Sequence, residues 1–82
     1  MEERFGVKGS SAGGIFFAEA LIPGARVLER VSVEIDKQNA NLDQVKRELA
    51  EKATKKGASA VQAFRYGQKK KGWYGEGDAV VV

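Results

Sequence analysis

The sequence contains no cysteine and no histidine. Without cysteine there is no disulfide, no thiolate nucleophile and no thiolate metal site. Without histidine there is no imidazole base, no Ser-His-Asp arrangement and no imidazole ligand. A metal would have to be held by carboxylates alone, a donor set that suits hard cations. No apolar run approaches the roughly 20 residues of a membrane-spanning helix. The Met1-Glu-Glu-Arg4 start is acidic and no apolar h-region follows it, so no secretory signal is expected. These absences lead us to expect a cytoplasmic, non-enzymatic chain with no membrane span, no metal and no cofactor.

What is present suits one small domain. Eighty-two residues allow a single core, and a chain of this size buries only roughly 60–65% of the surface its unfolded form exposes. Eleven of the apolar residues are alanine, while Val, Ile, Leu and Phe together number twenty. That is enough to fold but predicts a thin core. Residues 1–40 carry five basic and six acidic side chains, whereas residues 41–82 carry nine and five. The net charges of −1 and +4 place the excess of positive charge in the second half, a matter of solubility and acidic partners rather than of fold.

Residues 1–14 include Gly6, Gly9, Ser10, Ser11, Gly13 and Gly14 and read as a flexible leader to a domain over 15–82. The Gly9–Gly14 run could wrap an anion with its amides, but it lacks the P-loop lysine and leads into a strand. Ile15–Ile22 (IFFAEALI) is apolar on both faces and reads as a strand stopped by Pro23-Gly24. In Arg26–Ile35, Val27, Val31, Val33 and Ile35 alternate with polar residues, with Leu28 and Glu29 as exceptions, as a half-buried strand requires.

Asn41 then resembles an N-cap, with Gln44 three residues on. Leu42, Val45, Leu49 and Ala53 line one helical face, and Gly57 supplies the stop, predicting a helix over about 42–56. Ala60–Tyr66 and Gly72–Val82 read as strands joined by the glycine-bounded loop 67–72. The expected fold is therefore α+β, in the order β-β-α-β-β, a mainly antiparallel sheet with one helix on one face. The crossover through the helix suggests that 26–35 and 60–66 pair in parallel. A single helix leaves the other sheet face bare, and the two-sided Ile15–Ile22 strand then predicts a homo-oligomer that closes it.

The second half has a family likeness. Gly57-Ala58-Ser59-Ala60-Val61 after the helix, and Gly75-Glu76-Gly77-Asp78-Ala79-Val80 at the end, resemble the YbjQ-like family of small bacterial domains, often labelled heavy-metal-binding. Arg26-Val-Leu-Glu-Arg-Val31 and the same closing pattern are also similar to the folded domain of Rcs-type outer-membrane stress-sensor lipoproteins. The similarity spans about residues 25–82. It implies a dodecin-subunit-like shape and a ring-type homo-oligomer, such as a pentamer. The lipidated cysteine and disulfides of the lipoproteins have no counterpart here, and the metal label finds neither Cys nor His.

One cluster stands out. Arg65, Lys69, Lys70 and Lys71 are interleaved with Phe64, Tyr66, Trp73 and Tyr74. Exposed rings that stack bases beside lysines that neutralise phosphates would bind single-stranded nucleic acid. Cross-strand aromatic packing under a solvated tip explains the same residues. Trp73 could instead stack on a planar ligand at a subunit interface. Glu76 and Asp78 share a strand face, which is the minimum for an acid/base pair, but no nucleophile accompanies them. The leading expectation is a self-assembling structural or interaction module. A nucleic-acid-binding hairpin and a small-ligand carrier at a subunit interface are the alternatives.

Overall fold

The computed structural model of the protein describes residues 2–82. The elements are β1 (Glu2–Arg4), β2 (Val7–Ala12), β3 (Ile15–Ala18), β4 (Arg26–Ile35), α1 (Leu42–Lys55), β5 (Ala60–Lys69) and β6 (Gly72–Val81). The fold class is α+β with a single helix among the described residues. The six strands form one sheet in the order β1-β2-β3-β5-β6-β4.

Three expectations are corrected. First, the leader is structured: β1 pairs with β2, and β2 with β3, both antiparallel. Only Met1 of that segment lies outside the described residues. Gly9 is a strand residue facing Ala18, and a Cβ there would strike the Phe17 carbonyl and the Phe16 ring. A glycine that suggested flexibility is thus a requirement of packing. Second, the parallel pair joins β5 to β3, through Phe16 opposite Ala60 and Phe17 opposite Val61. The strand β4 instead lies antiparallel beside β6 at the edge. Third, the strand expected over 15–22 ends at Ala18, while β5 runs on through Gly67 to Lys69. The hairpin loop is reduced to Lys70 and Lys71.

The helix forms as its sequence requires. The Asn41 side chain accepts from the Gln44 N–H at 2.9 Å, satisfying one of the orphan donors of the first turn. Val45, Leu49, Ala50 and Ala53 face the sheet. There they meet Val31, Val33 and Ile35 of β4, Val61 and Phe64 of β5, Ala79 of β6 and the β3 side chains Ile15 and Phe17. A Cβ on Gly75 would run into Val45 Cγ1, and one on Gly77 would lie 2.5 Å from Val61 Cγ1. The glycines of β6 let the helix and the neighbouring strand come close.

The outer face answers the question of the missing cover. Phe16 and Ala18 point to it and are buried with Ile22, Ala60 and Val80. The cover comes from within the chain. The 19–25 loop folds back, held by the Ile22 N–H donating to Gln62 Oε1 at 3.0 Å and by the Ala63 N–H donating to the Ala20 carbonyl at 3.2 Å. The Phe5 ring stands edge-on to Phe16 at 5.9 Å, with the Arg4 guanidinium 5.8 Å from the Phe16 centroid. Further along, the outer face of β4 and β6 is polar. Arg30 pairs with Glu76 at 3.1 Å and with Asp78 at 3.2 Å. Among the described residues, a wholly uncovered apolar face, the premise of the assembly expectation, is therefore absent.

Candidate functional site

Each residue of the basic and aromatic hairpin has a definite place. Phe64 is buried in the core under the helix, and Tyr66 stacks on it at 5.3 Å. Trp73 packs, half-buried, against the same core. Strand alternation sends Arg65, Lys69 and Tyr74 to the opposite face. Tyr74 lies across Gly67, where an added Cβ would come 2.6 Å from the ring. Lys69 donates to Asp36 at 2.7 Å and to Glu34 at 3.2 Å. Those hydrogen bonds, Asp36 first, raise its pKa above the ordinary lysine value. Lys70 and Lys71 are exposed at the turn. Phe64, Tyr66 and Trp73 thus share the helix-side face, with Phe64 buried, and Tyr74 lies on the other.

The Glu76 and Asp78 carboxylates both engage Arg30. Its pKa is raised, chiefly by the hydrogen bond to Glu76 and its charge. Two carboxylates bound to an exposed guanidinium are an ion-pair cluster and not an acid/base pair poised over a substrate. Among the described residues, no group of three or more acidic side chains could hold a metal ion, and no helix is long and apolar enough to cross a membrane.

Two surfaces that the sequence did not single out are formed by the fold. The first is an apolar corner. A bulge between Val27 and Glu29 reverses the facing of Val27, which was expected in the core. It stands opposite Val80 on the outer face and is 51% exposed. Leu28 in the bulge, Leu21 in the 19–25 loop and Val82 at the end of the sheet are exposed as well, Leu21 by 67%. Leu21 precedes Ile22 of the buried outer cluster in the chain, and Val27 stands across from its Val80.

The second surface is a cleft of about 210 Å³ on the helix side. Six strands roughly 4.8 Å apart span about 24 Å, whereas a helix is roughly 10 Å wide. The helix lies mainly over β4 and β6, which leaves the β2, β3 and β5 side open. The floor of the cleft is Phe17 and Phe64, with ring centroids 5.0 Å apart. Tyr66 also lines it, and Lys8, Ser10, Glu19 and Lys46 supply its polar groups. Lys46 reaches across from α1 to donate to Ser10 Oγ at 2.5 Å. Three of these residues lie in the segment expected to be a leader or in the turn after β3, so they carried no signal until β2 was placed beside β3. A further, shallower hollow of about 470 Å³ between the end of α1 and the free edge of β4 is lined by Lys52, which donates to the Ser32 carbonyl at 2.7 Å, and by Lys56, which pairs with Glu29 at 2.9 Å.

Comparison of the chain with family models, with curated proteins and with solved structures finds no match, so the likeness to the YbjQ-like family rests on its motifs alone.

Proposed function

We propose that the protein is an interaction module that associates with further copies of itself through the corner bearing Leu21, Val27, Leu28 and Val82. The observation that carries this reading is the exposure of the four aliphatic side chains Leu21, Val27, Leu28 and Val82, since exposed apolar groups mark contact surfaces. A second copy suits the corner because apolar groups need no complementary charge. The neighbouring Glu76 and Asp78 are both ion-paired with Arg30 within the chain, which leaves that cluster only one negative charge in excess. The ring-type assembly implied by the family likeness is compatible with a contact at a corner, and the β4 edge beside it is blunted by the bulge and by Lys52.

Native mass spectrometry and light scattering at micromolar concentration test this. The expected result is a multimer that persists at high salt, with the Leu21→Glu/Val27→Glu variant a folded monomer. A monomeric parent chain, or a variant that still assembles, refutes the reading. The nucleic-acid alternative is supported by Lys70 and Lys71 at the hairpin tip. It predicts oligonucleotide binding that weakens steeply as salt rises, the opposite salt response.

A further inference from the structure

We infer that the helix-side cleft is a binding site for a small organic anion, an aryl or short-chain carboxylate. The inference rests on different residues from the self-association reading and stands or falls separately.

The floor and the polar groups of the cleft suit the two ends of such a molecule. Phe17 and Phe64 are core residues, 1% and 3% exposed, and form the base beneath the cleft. Tyr66, stacked on Phe64, extends the aromatic surface outward. A flat apolar group would lie against the Tyr66 ring, the exposed aromatic at the cleft, in the offset or edge-on contacts that aromatic pairs favour. The volume of about 210 Å³ falls below the range of drug-sized sites, roughly 300–1,000 Å³, and suits a small ligand.

The cations select charge. Five other basic side chains are committed to carboxylates, Arg30 to Glu76 and Asp78, Arg47 to Asp43, Lys55 to Glu51, Lys56 to Glu29, and Lys69 to Glu34 and Asp36; what sets Lys8 and Lys46 apart is that both line the cleft. Among the described residues, neither Lys8 nor Lys46 has a carboxylate within ion-pair distance. Lys46 is moreover held in place. Its hydrogen bond to Ser10 uses one of three ammonium donors and fixes the ammonium over β2, leaving two donors for an anion. A partly buried ammonium beside aromatic rings binds a carboxylate more strongly than one in open water does. With Glu19 at the cleft, the two lysines leave a net charge of +1 there, which favours a monoanion over a neutral molecule of the same shape.

The test is titration of the full-length chain with sodium benzoate, read by amide chemical shifts at constant ionic strength. Benzoate supplies both ring and charge, benzamide the ring alone, and acetate the charge alone. Saturable shifts at Ser10, Phe17, Lys46 and Tyr66 are expected, with a Kd on the order of 1 mM for so few heavy atoms. Benzamide and acetate bind at least about tenfold more weakly, and Lys46→Gln loses a similar factor. Lys8→Gln, at an exposed strand position, weakens binding several-fold and provides the same test if Lys46 proves to matter for folding. An absence of saturation by about 20 mM, an equal response to benzamide, or an unchanged titration in both lysine variants overturns the inference.

Discussion

At the scale of the residue, close approach governs this molecule. Val45 of the helix occupies the volume that a side chain on Gly75 would need. Gly75→Ala is therefore expected to push the helix off the sheet and to cost about 1–3 kcal/mol, the range for overpacked cores. The loss will be read as a lower urea midpoint. Combined with Val45→Ala, its cost should fall below the sum of the two single changes, because the second substitution vacates the contested space. An unchanged midpoint for Gly75→Ala would show that the helix does not rest on β6. Gln62 illustrates the same economy with a polar group. It is 6% exposed, and its carbonyl oxygen accepts the N–H of Ile22, so its burial leaves that donor answered. Such details are half legible in the sequence. The alternation of Gly72–Val82 alone puts Gly75 and Gly77 on one face with Trp73 and Ala79, the face that the helix covers. Gln62, in contrast, looks like one more polar residue in a strand. Its partner lies forty positions away in the chain, and no local pattern reports that distance.

At the scale of the element, the helix and β4 followed from their own residues. Apolar spacing, the Asn41 cap and the Gly57 stop give a helix over Leu42–Lys55, and the expected limits of β4 are those observed. The failures share a cause. β1 and β2 contain glycine, serine and charged residues where strands usually carry branched side chains, and they are strands because β3 offers an edge to β2, and β2 in turn to β1. Val27 was misplaced because a bulge is a property of a strand pair and not of one strand. Lys69 shows how an element's end becomes anchored. It was expected in a solvated loop, yet it closes the β5 end onto Glu34 and Asp36 of the β4 end. A lysine pKa raised by these partners means that the pairing contributes fully below the ordinary lysine value and is lost as pH rises through the raised one. Lys69→Gln should therefore be less stable than the parent at neutral pH. The difference should shrink as pH rises above the ordinary lysine value in a series of denaturant midpoints. A constant difference across that rise would mean that the charge of Lys69 contributes nothing.

At the scale of the whole molecule, a thin core is made sufficient by using both faces of one sheet. The helix closes one face, and the 19–25 loop with Phe5 closes part of the other. The two-sided apolar character of Ile15–Ala18 was visible in the sequence, and it pointed correctly to a strand covered on both sides. It could not show that the second cover was intramolecular, because that cover comes from segments that read as leader and turn. The candidate surfaces were correspondingly obscure. The hairpin cluster was conspicuous as a string of letters and is dispersed by the pleat, while the cleft and the corner arise from segments far apart in the chain.

The seam between β3 and β5 has a consequence for how the polypeptide can be divided. Among the described residues it is the one parallel junction in the sheet, registered over Phe16 with Ala60 and Phe17 with Val61. It separates two antiparallel triplets, β1-β2-β3 and β5-β6-β4. The covalent link between the triplets passes through the exposed Pro23-Gly24 turn. A peptide ending at Pro23 and a fragment beginning at Gly24 should consequently recombine into a native-like heterodimer with the circular dichroism of the parent. Two halves that stay unfolded when mixed would show that the backbone connection, and not the shared interior, keeps them together.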